Sequence, residues 1–145
     1  MKGVLLINLG SPEHKDINSV RSFLKEFLND KFVIHLPSFL RKFIVNLIII
    51  PFRSSKTLKA YSAIWTKKES PIITNSKEIG KKLQDLISLP VEVAMRYQKP
   101  TISKALKKLS QSGCKEITAI PLYPHYAMSS SLTTINRIKE LNIEL

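Results

Sequence analysis

Two patterns of hydrophobic and polar positions alternate along the chain: short apolar runs, and apolar residues at helical spacing. Residues 3–9 form a nearly continuous apolar run, which is typical of a strand buried on both faces of a parallel sheet. Residues 91–97 and 116–122 predict two further strands. Strands that alternate with helices indicate an α/β domain whose parallel sheet has helices on both faces.

The helical stretches carry recognisable start and stop signals. Asp16 can cap a first helix, and Thr101 can cap a later one that ends near Gly113. The apolar faces predicted for these two helices are Val20, Phe23, Leu24, Phe27 and Leu28, and then Ile102, Ala105, Leu106 and Leu109. Between them, a helix from Asn75 to Pro90 has a predicted inner face of Ile79, Leu83, Leu86 and Ile87. A last helix is expected at residues 132–141. A further strand would normally follow this helix. The sheet of this single domain, residues 1–145, is therefore expected to be incomplete at its C-terminus.

Composition places the chain among globular proteins with an excess of positive charge. Lys and Arg number 23 against 11 Asp and Glu, giving a formal net charge of +12. The apolar fraction of 43% is typical of a folded domain. A single cysteine, Cys114, excludes an internal disulfide framework and any multi-cysteine metal site. Neither a signal peptide nor an apolar run of about 20 residues is present, so we expect a cytoplasmic protein.

Residues 32–60, here named the lip segment, are apolar and basic without a clean period. No acidic residue interrupts the positive charges between Lys31 and Lys59. Three interpretations stay open: a helical excursion packed on its own domain, a membrane-surface patch, and a nucleic-acid contact. Aliphatic and aromatic residues next to cations favour an anionic membrane surface, and no nucleic-acid module is recognisable.

Ligands of parallel α/β sheets bind at the carboxyl ends of the strands. The three loops there are residues 8–12, 96–101 and 121–134, and they carry neither a GxGxxG fingerprint nor a GxxxxGK[ST] phosphate loop. Arg96, at the end of the second strand, can bind an anionic group or form a salt bridge across the sheet rim.

The third loop combines two tyrosines with hydroxyl side chains, which favours a flat, partly polar ligand. For its serines alone, residues 129–131, a role as helix caps is favoured. His125 is a weak candidate metal ligand without a carboxylate nearby in sequence, and more often such a histidine is a polar loop residue. No other metal ligand is predicted.

Four groups of residues, in order and at about the right spacing, resemble the ferrochelatase family. They are Gly3–Pro12, Tyr61–Trp65 with Ser70–Ile72, Val93–Tyr97, and Leu122–Tyr126 with Ser129–Ser131. The resemblance covers nearly all of this chain but only the N-terminal half of a typical member. It implies a Rossmann-like, three-layer α/β fold and a role in haem biosynthesis, in which ferrous iron is a substrate inserted into a porphyrin and no cofactor is held permanently.

The resemblance also implies which residues touch the porphyrin. Leu9 would lie against the macrocycle, and Arg53 and Ser70 near the propionates. The pocket lining would comprise Arg96, Tyr97 and Tyr123, with Ser129 and Ser130 near the inner wall. The part of the lip segment around residues 32–52 would touch the membrane and take up substrate. We therefore expect a cytoplasmic protein that is peripheral at the inner membrane surface.

One departure from the family bears on activity. The catalytic histidine of ferrochelatases lies in a Ser-x-His-Gly-x-Pro stretch with a partner glutamate further on, and these 145 residues contain neither. No catalytic residue is therefore assigned, and we expect a truncated or split ferrochelatase, inactive alone and dependent on a second-half polypeptide. The alternatives are a non-catalytic porphyrin- or membrane-binding half-domain and a decayed remnant.

Overall fold

The computed structural model describes residues 1–143, which form two compact units. The first unit comprises Met1–Gly10 and the chain from Ile72 onward, and the second comprises Ser11–Pro71. The strands are β1 (Lys2–Asn8), β2 (Val91–Met95) and β3 (Glu116–Pro121). The helices are α1 (Ile17–Leu28), α2 (Ser38–Ile44), α3 (Ile50–Ile64), α4 (Pro71–Ile87), α5 (Ile102–Gln111) and α6 (Thr133–Ile143).

The first unit is built on a parallel sheet of three strands in the order β2-β1-β3. The central strand β1 is almost completely buried because it has a neighbour on each side and a helix layer on each face. Leu5 and Ile7 point to one face, where the predicted inner side of α5 packs against them together with Leu141 of α6. On the opposite face, Gly80 of α4 lies against Val93 and Leu6. The expected three-layer α/β arrangement is confirmed.

The capping signals of the sequence are confirmed at both predicted positions. The Asp16 carboxylate accepts a hydrogen bond from the Ser19 backbone N–H at 2.8 Å, and the Thr101 hydroxyl accepts one from the Lys104 N–H at 3.3 Å. Gly113 adopts a φ of +82° just beyond α5, the left-handed conformation that glycine tolerates best at a helix end.

The predicted inner face of α4 is wrong. The helix buries Ile73, Ser76 and Gly80, whereas Leu86 is 82% exposed and Ile79 is 49% exposed. A Cβ on residue 80 would lie only 2.5 Å from Cγ2 of Val93, so the helix approaches β2 through its smallest side chain. The close backbone approach at Gly80 therefore buries this face of α4, and the stripe of larger apolar side chains stays exposed.

From Ser38 onward, the lip segment is helical and belongs to the second unit. Helices α2 and α3 are joined by a π-helical turn, Val45–Ile49, so helical backbone runs without a break from Ser38 to Ile64. Pro51 lacks the N–H that an α-helical bond needs, and the wider turn before it accommodates that loss, with the Ile50 N–H reaching back to the Val45 carbonyl.

Aromatic contacts hold α1 and α3 of this unit together. The Phe23 ring meets the Tyr61 ring edge-on, with centroids 6.1 Å apart, and Tyr61 meets Trp65 in the same way at 6.4 Å. Within residues 1–143, we find no helix whose length and apolar content would allow it to cross a bilayer.

Candidate functional site

The carboxyl ends of β1 and β2 are tied together by backbone hydrogen bonds. The Arg96 N–H donates to the Asn8 carbonyl at 2.8 Å, and the Tyr97 N–H donates to the Leu9 carbonyl at 3.0 Å. Gly10 has a φ of +106°, and a Cβ at that position would overlap the Tyr97 carbonyl oxygen. The first unit therefore holds Leu9 beside Arg96 and Tyr97.

Two side-chain contacts of Arg96 restrain its orientation. Its guanidinium carbon lies 4.5 Å from the centroid of the Tyr97 ring, a cation–π arrangement. Its Nε–H donates to the Thr133 hydroxyl oxygen at 2.9 Å. Tyr97 itself is completely buried, so the structure places it beneath the arginine rather than at the surface.

Tyr123 lies in the loop after β3 and is partly buried. Its hydroxyl shares a hydrogen bond with the Thr134 hydroxyl at 3.0 Å. Burial raises the pKa of the Tyr123 phenol above its ordinary value, while the Thr134 hydrogen bond and the positive charge of Arg96 act in the opposite direction. The phenol is consequently neutral at physiological pH and able to donate or accept a hydrogen bond.

The serines of the third loop are not helix caps. Helical backbone begins at Met128 as a π-helical turn, Met128–Leu132, that leads directly into α6, and Ala127 occupies the cap position without a side-chain bond. Ser129 and Ser130 therefore lie in the first helical turn, Ser129 exposed and Ser130 half-buried. His125 is exposed in the loop before them. Across residues 1–143, no three His, Cys, Asp or Glu side chains stand close enough to hold a metal ion.

Two residues implied by the resemblance, Arg53 and Ser70, belong to the second unit. Ser70 is buried, and its hydroxyl donates to the Ser11 hydroxyl at 2.6 Å, which in turn donates to the Pro12 carbonyl. Arg53 is exposed on α3 and lines an open groove of about 730 Å³ together with Phe52, Lys56 and Tyr61. Ser70 thus makes an internal hydrogen bond to the loop after β1, whereas Arg53 provides an accessible cation beside apolar surface.

An exposed apolar ridge runs along the lip segment. Phe39, Phe43, Leu47 and Phe52 lie at helical spacing and are each more than half exposed, with Phe52 at 83%. A continuous exposed row of this kind is typical of a surface that contacts an apolar partner.

Sequence reasoning missed Thr133 and Thr134, which are buried at the start of α6 and hydrogen-bonded to Arg96 and Tyr123. Two consecutive hydroxyl residues at the end of a hydroxyl-rich loop could have indicated this role, but the prediction assigned it to the preceding serines. Asn8 was missed as well: its side-chain oxygen accepts from the Leu9 N–H at 2.9 Å, and its amide donates to Ser76.

Comparison with known proteins gives a consistent picture. The family model described as Ferrochelatase matches residues 1–144. The ferrochelatase of Coxiella burnetii (strain Dugway 5J108-111) is 37% identical over 142 residues, covering 97% of this chain and 40% of that protein. The ferrochelatase of Legionella pneumophila (strain Corby) is 41% identical over 138 residues, covering 94% of this chain and 41% of that protein. The chain spans about 40% of the length of the curated relatives that it matches.

Proposed function

The chain belongs to the ferrochelatase family, and on that premise we propose that its residues form one wall of a porphyrin-binding cleft. The reaction would replace two pyrrole protons of the porphyrin with one ferrous ion, in haem biosynthesis. The observation that carries the proposal is the anchored Arg96 beside the neutral phenol of Tyr123, at the edge of the sheet where α/β proteins bind ligands.

The chemistry of a porphyrin suits these side chains. The macrocycle is an apolar disc with carboxylates at its edge, so its site needs aliphatic and aromatic walls together with cations. We assign Leu9 to the macrocycle, and Arg96 and Tyr123 to the pocket lining, with the buried Tyr97 supporting Arg96 from beneath. Ser129 and Ser130 would approach the inner wall, and Arg53 the propionates. The resemblance places Ser70 there too, but its buried hydroxyl donates to Ser11.

Proton removal is assigned to residues outside this stretch. Metal insertion requires a base for the pyrrole protons, and the Ser-x-His-Gly-x-Pro stretch that would supply it is absent from these 145 residues. We propose that a polypeptide of this sequence binds porphyrin without metalating it, and that turnover requires a complementary second-half polypeptide. The competing outcomes are a non-catalytic half-domain and a remnant.

The lip segment is proposed to rest on an anionic membrane surface, with the protein cytoplasmic and peripheral. Support comes from the exposed ridge and from Arg53 and Lys56, which lie next to Phe52 in the groove of α3. Apolar side chains flanked by cations suit the boundary between lipid headgroups and acyl chains.

Porphyrin titration of the 145-residue protein tests the proposal. We expect quenching of porphyrin fluorescence with saturation, and an affinity about tenfold weaker for Arg96→Ala, the usual scale for one lost charge-assisted hydrogen bond. Arg137→Ala, which removes an exposed arginine paired with Glu140, is the matched control. The proposal would be refuted if the folded protein failed to bind porphyrin, or if the Arg96→Ala variant bound it equally well. Iron- or zinc-dependent metalation by the isolated protein would refute the separate assignment of proton removal.

A further inference from the structure

The backbone groups of β2 alternate between the neighbouring strand β1 and the outer edge of the sheet. The Val4 N–H donates to the Pro90 carbonyl at 2.9 Å, and the Arg96 N–H donates to the Asn8 carbonyl at 2.8 Å. In a parallel ladder, these bonds place the N–H and C=O groups of the even-numbered residues of β2 on the side of β1. The odd-numbered residues of β2 therefore turn these groups toward the outer edge.

The chain itself covers the first and the last N–H group along this edge. The Val91 N–H donates to the side-chain oxygen Oε1 of Gln84 at 3.0 Å, and the Met95 N–H donates to the Pro100 carbonyl at 2.7 Å. In the part of the chain that the structure describes, we find no partner for the N–H or the C=O of Val93. Because two of the three edge donors are taken, a further strand cannot continue the ladder along β2. A single residue is left with a donor and an acceptor directed outward.

This edge opens into a groove of about 350 Å³ that is lined by residues of α4, β2 and α5 and is here named the edge groove. Three lysines line it, Lys77 and Lys81 from α4 and Lys108 from α5. The one acidic residue of the lining, Glu92, is paired with Lys108 at 3.2 Å. The edge groove therefore has a net positive charge around the backbone groups of Val93.

The lysines lie on both faces of β2. The Val93 side chain points to α4, where it lies against Gly80, and the side chain of the preceding Glu92 points to α5, where it meets Lys108. In an antiparallel pair, a residue opposite Val93 would point its side chain toward α4, and the neighbours of that residue would point toward α5. An extended segment paired with Val93 would consequently meet cations on both of its faces.

We propose that the edge groove binds an extended acidic segment of a partner protein, through one antiparallel residue pair with Val93 and through the three lysines. The two residues of such a pair exchange both of their N–H···O=C bonds, so a peptide satisfies the donor and the acceptor of Val93 together. A lone carboxylate only accepts hydrogen bonds and would leave the Val93 carbonyl without a donor. Protection of an edge strand accounts for the lysines, but not for this outward donor and acceptor. The inference does not depend on porphyrin binding.

Fluorescence anisotropy with the 145-residue protein tests the backbone pair. The probe is a short, labelled, terminally blocked peptide in which valine and glutamate alternate. We expect saturable binding with a Kd below about 1 mM. Methyl groups on the backbone nitrogens of the glutamates should weaken it about three- to tenfold, the scale of one lost hydrogen bond. The same peptide methylated on its valine nitrogens, which face away from β2, is the matched control and should bind like the unmodified peptide.

Charge-reversal variants and a local signal test the position of the site. Lys81→Glu should weaken peptide binding about five- to tenfold at low salt, since it replaces an attractive charge pair with a repulsive one. Lys104→Glu, which changes an exposed lysine of α5 outside the edge groove, should have little effect. In the nuclear magnetic resonance spectrum, the Val93 amide should shift on binding and exchange its proton with solvent more slowly.

Four results would overturn the inference. Equal losses in Lys81→Glu and Lys104→Glu would show that the peptide only follows the net charge of the protein, and equal binding of the two methylated peptides would show that no backbone pair forms. Absence of saturable binding would leave the edge groove a protected sheet edge. A change in the Val93 amide produced equally by inorganic phosphate, or by self-association of the protein without peptide, would assign the edge groove to a different occupant.

Discussion

The carbonyl oxygen of Tyr97 occupies the space that a Cβ on Gly10 would need. Gly10 has a φ of +106°, and its Cα lies against the backbone of the β2 loop. The loops that carry Leu9 and Arg96 can therefore approach each other this closely only because residue 10 has no side chain.

Replacing this glycine should damage the protein more than replacing another glycine of similar conformation. Gly10→Ala is expected to lower the free energy of unfolding by roughly 3 kcal/mol, because it combines left-handed backbone strain with overlap against backbone. Gly113→Ala is the control: its φ is +82°, and a Cβ there meets nothing within 4 Å. It should cost only about 1–2 kcal/mol from the backbone conformation. Equal losses in urea denaturation would contradict this interpretation.

The contact of α4 with β2 predicts coupling between Gly80 and Val93. Gly80→Ala gains about 1 kcal/mol of helix propensity, yet its Cβ would lie 2.5 Å from Cγ2 of Val93, so we expect a net loss of stability. In a Val93→Ala background, the same change should be neutral or stabilising. A double-mutant cycle by chemical denaturation should give a coupling of about 1 kcal/mol or more; strict additivity would show that the helix does not approach the strand at this point.

The raised phenol pKa of Tyr123 predicts a loss of stability at alkaline pH. The unfolded phenol loses its proton near pH 10, whereas burial keeps the folded phenol protonated to higher pH. The folded state then binds more protons, so its stability is complete below the unfolded pKa and declines as pH rises through the folded pKa. Burial raises the pKa of Tyr61 in the same direction.

Denaturation at several alkaline pH values measures this effect. Tyr123→Phe should reduce the slope of stability against pH, and Thr134→Val should raise the pKa of Tyr123 further, because the Thr134 hydrogen bond lowers it. The absorbance of phenolate follows that titration directly. An unchanged alkaline slope in Tyr123→Phe would contradict the assignment.

The apolar ridge predicts binding to lipid vesicles. Phe43→Ser combined with Phe52→Ser should reduce co-sedimentation with anionic vesicles at least severalfold, since two large side chains would no longer enter the interface. The matched control is Ile79→Ser with Leu86→Ser, which removes two exposed apolar side chains of α4 instead. Added salt should weaken binding of the parent protein. Equal loss in both double variants, or indifference to anionic lipid, would argue against a membrane-contacting ridge.

Local patterns in the sequence were sufficient for the order of elements outside the lip segment and for the inner face of α5. The face of α4 was mispredicted because apolar periodicity weighs large side chains, whereas this helix packs through Ile73, Ser76 and Gly80. A glycine that permits close approach does not contribute to the apolar periodicity from which a buried face is predicted. The irregular period of the lip segment reflects the π-helical turn at residues 45–49, which shifts the spacing by one residue.

The candidate site was predictable only where a motif identified it. Arg96, Tyr97 and Tyr123 lie at strand ends, and parallel topology brings such ends to one edge. The roles of Thr133 and Thr134 depend on contacts with residues 37 and 11 positions away. These contacts form only when α6 packs against the rest of its unit, so the local spacing of residues in the sequence does not predict them.

A chimaera tests most directly whether this chain serves as the N-terminal half of a ferrochelatase. Residues 1–143 would replace the matching part of the Legionella pneumophila ferrochelatase, with the rest of that protein left intact, and iron insertion into porphyrin would be measured. We predict that the folded chimaera metalates porphyrin, that Arg96→Ala within it is impaired, and that the 145-residue protein alone shows no turnover. A folded chimaera that binds no porphyrin and inserts no metal would contradict the account.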